Sequence, residues 1–161
     1  MNAKTILVPL DGSTLAETAL TPAVETAREK NAKLVLLRAA EAHPMPMADP
    51  AEAQVEVVRQ AEEYLAGVRE RVTRGGLADV EISVWYGQPA EAIVEAARFR
   101  RADLIVMSSH GRSGLGRLVL GSVAETVLRA TAVPILLIRP GDAPLATPFT
   151  GAPAAKELAN V

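Results

Sequence analysis

Two stretches of this chain look unlike mere connectors, and the longer carries residue types that handle phosphate. The longer is Ser108-Ser109-His110-Gly111-Arg112-Ser113-Gly114-Leu115-Gly116, which runs on to Gly121-Ser122. Glycines let backbone amides come close to an anion and adopt turns barred to other residues. Gly121-Ser122 stands before a helical pattern, and the first amides of a helix, unpaired and at its positive end, favour negative charge. Arg112 and Arg117 add local positive charge to a chain whose net charge is −2. The shorter stretch, Pro9-Leu10-Asp11-Gly12-Ser13, offers one carboxylate and one glycine. A second reading stays open at this point: Gly111, Gly114 and Gly116 only shape a long turn, and Ser122 only caps a helix. Short glycine motifs recur by chance. No glycine is followed by Lys and then Ser or Thr, so there is no Walker A signature. Nor does Asp11-Gly12-Ser13 supply the glycines of a dinucleotide fingerprint.

A histidine inside a glycine loop invites a catalytic reading. The sequence places no partner carboxylate beside His110, and no catalytic residue is assigned. His43 lies in the proline-rich stretch 43–50 with no companion at metal-ligand spacing, and it is given no role.

The elements that must position these loops are legible from apolar runs. Strands are expected at Thr5–Leu10, Lys33–Ala39, Val80–Trp85, Leu104–Met107 and Pro134–Ile138. Ile6-Leu7-Val8, Leu34-Val35-Leu36-Leu37, Leu104-Ile105-Val106-Met107 and Ile135-Leu136-Leu137-Ile138 are continuous, which suits strands covered on both faces of a parallel sheet. Val80-Glu81-Ile82-Ser83-Val84 alternates, which suggests one wet face. Between the strands lie helical patterns. Thr14 and Glu17 form a capping-box pattern opening the first helix, and Pro22 inside it predicts a bend. The second helix is expected from about Ala51 to Arg74, with Val55, Val58, Leu65, Val68 and Val72 near one face and Gly75-Gly76 closing it. The third begins at Pro89 and buries Ile93, Val94 and Ala97. The fourth follows Gly121, with Ser122 as its cap and Glu125 three residues on.

Strand and helix alternate from end to end. That pattern implies an α/β fold: a five-stranded parallel open sheet with right-handed crossovers and helices on both faces. In such sheets ligands bind beyond the carboxyl ends of the strands, where the strand order reverses. With strand order 3-2-1-4-5, the first and fourth strands are neighbours and both loops meet at the switch point. The domain is expected over 1–140, followed by an Ala/Pro-rich flexible tail over 141–161, in which 154–159 could form a marginal helical turn.

Composition narrows the class. A chain of 161 residues is long enough to bury one core without staples. It has no cysteine, which excludes disulfides and thiolate metal sites and makes a reducing compartment the simple reading. The apolar run at the start is too short for a signal peptide's core, and no run approaches the length of a membrane span, so the expectation is a soluble, cytoplasmic protein. The acidic balance, with a pI near 5.7, argues against a nucleic-acid partner. Arg98, Arg100 and Arg101 are read as the solvated end of a helix.

The residues also resemble the universal stress protein family. Its ATP-binding members carry, after strand four, Gly-x-x-Gly, nine residues, then Gly-Ser or Gly-Thr. Here nine residues separate Gly111 from Gly121-Ser122. The opening Val8-Pro9-Leu10-Asp11-Gly12-Ser13, the closing Val133-Pro134-Ile135-Leu136-Leu137-Ile138 and Gly87-Gln88-Pro89-Ala90-Glu91-Ala92-Ile93 are similar too. The likeness spans residue 4 to about 139. It implies a Rossmann-like, adenine nucleotide α-hydrolase-like fold, with ATP as the ligand. Pro9, Leu10 and Asp11 would line the adenosine side, and Ala39 would meet the adenine edge through its backbone. Met107, Ser108, Ser109, His110, Gly111, Arg112, Ser113 and Gly114 would wrap the ribose and phosphates. Gly121, Ser122, Val123 and Ala124 would present amides and a hydroxyl to the phosphate chain. Asp11 is the candidate to hold Mg²⁺ through water, although its carboxylate can equally cap the turn into the first helix. One position departs from the pattern: Ser108 replaces the first glycine.

The resemblance therefore implies an adenine-nucleotide-binding regulatory protein of the stress response, with at most slow ATP hydrolysis. It also implies a homodimer through the last strand, Val133 to Ile138, and an unidentified regulatory partner. The alternative is a dimeric stress or scaffold protein with a degenerate pocket, an option that Ser108 keeps open. A dedicated hydrolase would need a positioned base and a committed metal ligand, and neither stands out. A phosphorylated receiver domain is excluded because Val84-Trp85-Tyr86 occupies the place of its strand-three aspartate. A flavodoxin is excluded because aromatics make up only 3% of the chain.

Overall fold

The computed structural model describes residues 3–42, 49–109, 120–139 and 141. In chain order the elements are β1 (Thr5–Pro9), α1 (Thr14–Glu17), α2 (Leu20–Lys30), β2 (Lys33–Ala40), α3 (Pro50–Arg74), β3 (Val80–Tyr86), α4 (Pro89–Phe99), β4 (Leu104–Ser108), α5 (Ser122–Ala130) and β5 (Ile135–Ile138). The strands form one five-stranded sheet, order β3-β2-β1-β4-β5. Every pairing is parallel, with Leu7 opposite Val35 on one side and Ile105 on the other. Fold class and strand order agree with the sequence reading.

The continuous apolar runs work as expected because both faces are covered. Ile6, Val8, Leu34, Leu36, Leu104 and Val106 pack under α1, α2 and α3 with Ala23, Ala27, Leu65 and Val68. Leu7, Val35, Leu37, Ile105 and Met107 pack on the other face with Ile93, Ala96, Ala97, Ala124 and Val127 of α4 and α5. Fully burying a large aliphatic side chain contributes about 1.5–3 kcal/mol, so the three inner strands are the best-anchored part of the molecule.

Several local expectations shift. Ser13, not Thr14, caps α1: its side chain accepts from the Ala16 amide at 3.1 Å. The choice follows from Asp11, whose Oδ1 accepts from the Ser13 amide at 2.9 Å and sets that residue in extended backbone. Glu17 consequently leaves the capping role and bonds Tyr64 and Arg71 of α3. Pro22 bends nothing in mid-helix. The helix breaks before it, at Thr18–Ala19, and Pro22 enters the first turn of α2, where its missing N–H costs no intrahelical bond. On α3 the buried line is Ala61, Leu65, Val68 and Val72, whereas Val55 is 69% exposed. At 3.6 residues per turn the line runs back from Ala61 to Val57, which leaves Val55 on a different face.

β3 is an edge strand with two unlike faces. Val80, Ile82 and Val84 join the α3 core, while Glu81 and Ser83 hold Arg100 at 3.1 and 3.3 Å. Lys33 also bonds Glu81, at 2.6 Å. The face expected to be wet is thus occupied by a polar network, and Arg100 belongs to it rather than to a solvated helix end.

Candidate functional site

Parallel pairing on both sides of β1 brings the carboxyl ends of β2, β1 and β4 to one edge of the sheet. A cavity of about 420 Å³ opens there. β1 and its loop contribute Pro9, Leu10 and Asp11, and β2 contributes Ala39. From β4 and its end come Met107, Ser108 and Ser109. α5 supplies Gly121, Ser122, Val123 and Ala124. These eleven are the site residues expected from sequence that fall within the described part of the chain; His110, Gly111, Arg112, Ser113 and Gly114 lie outside it, as do His43 and Arg117.

Backbone bonds fix the rim. Leu10 donates to the Leu37 carbonyl at 2.8 Å and extends the β1–β2 ladder past the strand. Ser109 donates to the Ile138 carbonyl at 2.8 Å, which does the same between β4 and β5. Gly121 then donates to the Ser109 carbonyl at 2.9 Å, so the start of α5 is tied directly to the end of β4. The cap of α5 is Gly121 itself, with no side-chain bond, and Ser122 is the first helical residue rather than the cap. The Gly121 amide is spent on Ser109, and the first intrahelical donor is Glu125 to Gly121 at 2.9 Å. Helix geometry thus leaves the amides of Ser122, Val123 and Ala124 without an intrahelical carbonyl, at the positive end of the dipole, in residues that line the cavity.

The wall built from β2, β4 and α4 is apolar. Leu37, Met107 and Ile93 are nearly fully buried and give the cavity a floor suited to a flat heterocycle. Ser108 and Ser109 are buried polar residues, each 7% exposed, in that same wall. The site therefore pairs an apolar slot with a row of helix-end amides in one cavity. A ligand that is apolar and planar at one end and anionic at the other matches that division.

Sequence reasoning missed a third wall. Arg38 and Glu41 from β2 and beyond, Val57 and Gln60 from α3, and Pro89 at the start of α4 also line the cavity. Arg38 carried a signal: it is the one charge interrupting the apolar run of β2 after Lys33. Val57 and Gln60 carried none, since only the rotation of α3 about its axis brings them to the edge. Among the described residues, no group of three His, Cys, Asp or Glu side chains converges as a metal site. No helix among the described residues is long and apolar enough to cross a membrane.

Comparison with known proteins agrees with this architecture. The model of the universal stress protein family matches residues 2–139. A universal stress protein of Methanocaldococcus jannaschii is 33% identical over 141 residues, covering 84% of this chain and 82% of its own. The solved structure of the universal stress protein UspA from Lactobacillus plantarum superposes with a TM-score of 0.76 at 26% identity, over 86% of this chain and 99% of that one. A universal stress protein crystallised in complex with cAMP gives a TM-score of 0.68 at 28% identity, over 86% and 98% of the two chains.

Proposed function

Because the chain belongs to the universal stress protein family, we propose that it binds an adenine nucleotide, ATP in particular, in the cavity at the carboxyl edge of its sheet. The observation that carries this reading is the meeting of an apolar slot with the Ser122–Ala124 amides in one cavity. The cAMP complex of a relative with the same fold supports an adenine ligand. In this arrangement the base lies against Leu37, Met107 and Ile93, and the phosphates lie at the mouth of α5.

Mg²⁺ fits as a companion of the phosphates. It is usually held by one or two carboxylates together with phosphate oxygens and water, and Asp11 supplies a carboxylate at the cavity wall. Its charge would neutralise part of the triphosphate. No described side chain stands out as a general base at the α5 end, so hydrolysis is slow or absent and the nucleotide acts as a regulatory ligand. We place the protein's work in the cytoplasm, in keeping with its lack of cysteine, and as a homodimer through β5.

The test is direct. Denaturing extraction of the purified protein followed by nucleotide chromatography should release an adenine nucleotide, and calorimetric titration with Mg-ATP should give one site per chain. An empty extract together with a flat titration would leave the second reading, a stress or scaffold protein with a degenerate pocket. Ser108 is the observation that favours that reading, since it puts a side chain where the ATP-binding pattern has glycine.

A further inference from the structure

Arg38 is the cationic side chain among the described residues of the cavity wall, and its placement is unusual for a binding group. It follows Leu34 and Leu36 on the face of β2 that packs against α1 and α3. Its guanidinium carbon lies 4.8 Å from the centroid of the Tyr64 ring, a cation–π contact. Gly12 also lies close to it: a Cβ added there would stand 3.5 Å from both Nη atoms. Gly12 has φ +86°, so the turn itself selects glycine. Tyr64 is fixed in turn, its hydroxyl donating to Glu17 Oε1 at 2.8 Å while Arg71 donates to Glu17 Oε2 at 2.8 Å. Burial, with the Glu17 carboxylate second, pushes the Tyr64 phenol above its ordinary value of 10.0, so it stays a donor. Glu17 thus ties the far end of the segment from Asp11 to Glu17 to α3, and the Arg38 guanidinium stands beside its near end, at Gly12.

We propose that Arg38 is a positioning residue: set over the Tyr64 ring and beside Gly12, it holds the Asp11–Ser13 turn at the cavity wall and through that turn sets affinity for the nucleoside half of the ligand. The inference rests on the reading of this cavity as an adenine-nucleotide site. A direct phosphate contact does not suit Arg38. It sits on β2, and β1 separates it from the β4 end where α5 begins, an offset of about 10 Å for two strand spacings.

Arg38→Met keeps an apolar stem and removes the guanidinium, and Arg38→Lys restores a cation over the ring. Hydrogen exchange of the unliganded proteins should show the amides of residues 10–17 opening about tenfold more often in Arg38→Met, with β4 and α5 unchanged. Titration with adenosine, AMP and ATP at a temperature where each variant is fully folded should show all three weakened by one common factor, about five- to tenfold, with Arg38→Lys recovering most of the loss. Unchanged affinities beside a wild type that binds would overturn the positioning role and leave the site reading intact. A loss that grows with phosphate number would overturn it too, by making Arg38 a phosphate contact. A wild type that binds none of the three would sink the site reading, and this inference with it, whatever the exchange pattern.

Discussion

Gly121 donates its amide to the Ser109 carbonyl at 2.9 Å with φ −58° and ψ 144°, extended backbone that any residue can adopt. Position 121 therefore does not demand a glycine for its conformation. Gly121 lines the cavity, so a side chain added there would stand at the mouth of the helix.

That separates two outcomes for Gly121→Val. The backbone angles accept valine, which is only a poorer helix cap than glycine, so helix content should stay close to wild type and the thermal midpoint should fall by no more than about 2–4 °C. The branched side chain stands where the phosphates would approach, so nucleotide affinity should fall more than about a hundredfold, the scale of lost close contacts to a charged group. Circular dichroism and calorimetric titration of the same preparation check both. A large drop in midpoint with unchanged affinity per folded molecule would mean the glycine serves the turn alone.

Ser108→Gly restores the glycine of the ATP-binding pattern and asks the converse question. Ser108 ends β4 opposite Ile138, 7% exposed, in the cavity wall. Removing its Cβ should tighten ATP binding about fivefold, near 1 kcal/mol, the scale of a mild backbone or steric restriction released. The same change loosens a strand end, so the midpoint should fall by about 2–4 °C. Affinity unchanged by the added space would show that Ser108 does not crowd the ligand.

Much of this was legible because Leu34 to Leu37 can be continuous only if both faces of β2 are covered, and that demands helices above and below. Once the order 3-2-1-4-5 is assumed, the Asp11 and Gly121 loops must meet, so the place of the site followed from chain order. Finer features did not. Ser13 and Thr14 are both competent caps, and the hydrogen bond from the Ser13 amide to Asp11, a feature of the folded turn, decides between them. Arg38 reads as a stray charge in an apolar strand until Tyr64, distant in sequence, supplies the ring that holds it. Tertiary geometry, not local pattern, assigns such residues.

The pair Lys33–Glu81 gives a pH signature. The hydrogen bond from Lys33, foremost, lowers the Glu81 carboxyl below its ordinary 4.5, and the same bond raises Lys33 above 10.5. A carboxylate lowered in the folded state contributes stability that is complete above its unfolded value and fades as pH falls through its folded one; the raised ammonium contributes below 10.5 and fades above it. Glu81→Gln should therefore lower the midpoint by a roughly constant amount between about pH 6 and 9, only about 1–2 °C because the pair is half-exposed. The gap to wild type should close below pH 4.5. A gap independent of pH down to 3 would assign the loss to packing at the β3 edge instead.

β5 closes the sheet as an edge strand, with Leu136 and Leu137 at 38% and 40% exposed and the outer backbone groups of a short apolar strand turned outward. Edges of this kind are ordinarily blunted by charge, proline or a covering element. Here Pro134 precedes the strand and Arg139 follows it, but the strand itself carries only Ile and Leu. Leu128 of α5, 57% exposed, adds a further apolar side chain to the surface of the molecule. A second copy meeting β5 edge to edge about a two-fold axis would pair the open backbone and cover the leucines at once. Leu136→Lys places a charge in that contact; Leu136 stands opposite Val106 in the β4 ladder and is 38% exposed, so a lysine stem can lie along the sheet with its ammonium in water. Light scattering at micromolar concentration should give twice the chain mass for wild type and the single chain mass for Leu136→Lys, with similar circular dichroism. A monomeric wild type, or a variant that stays dimeric, would move the interface away from this strand.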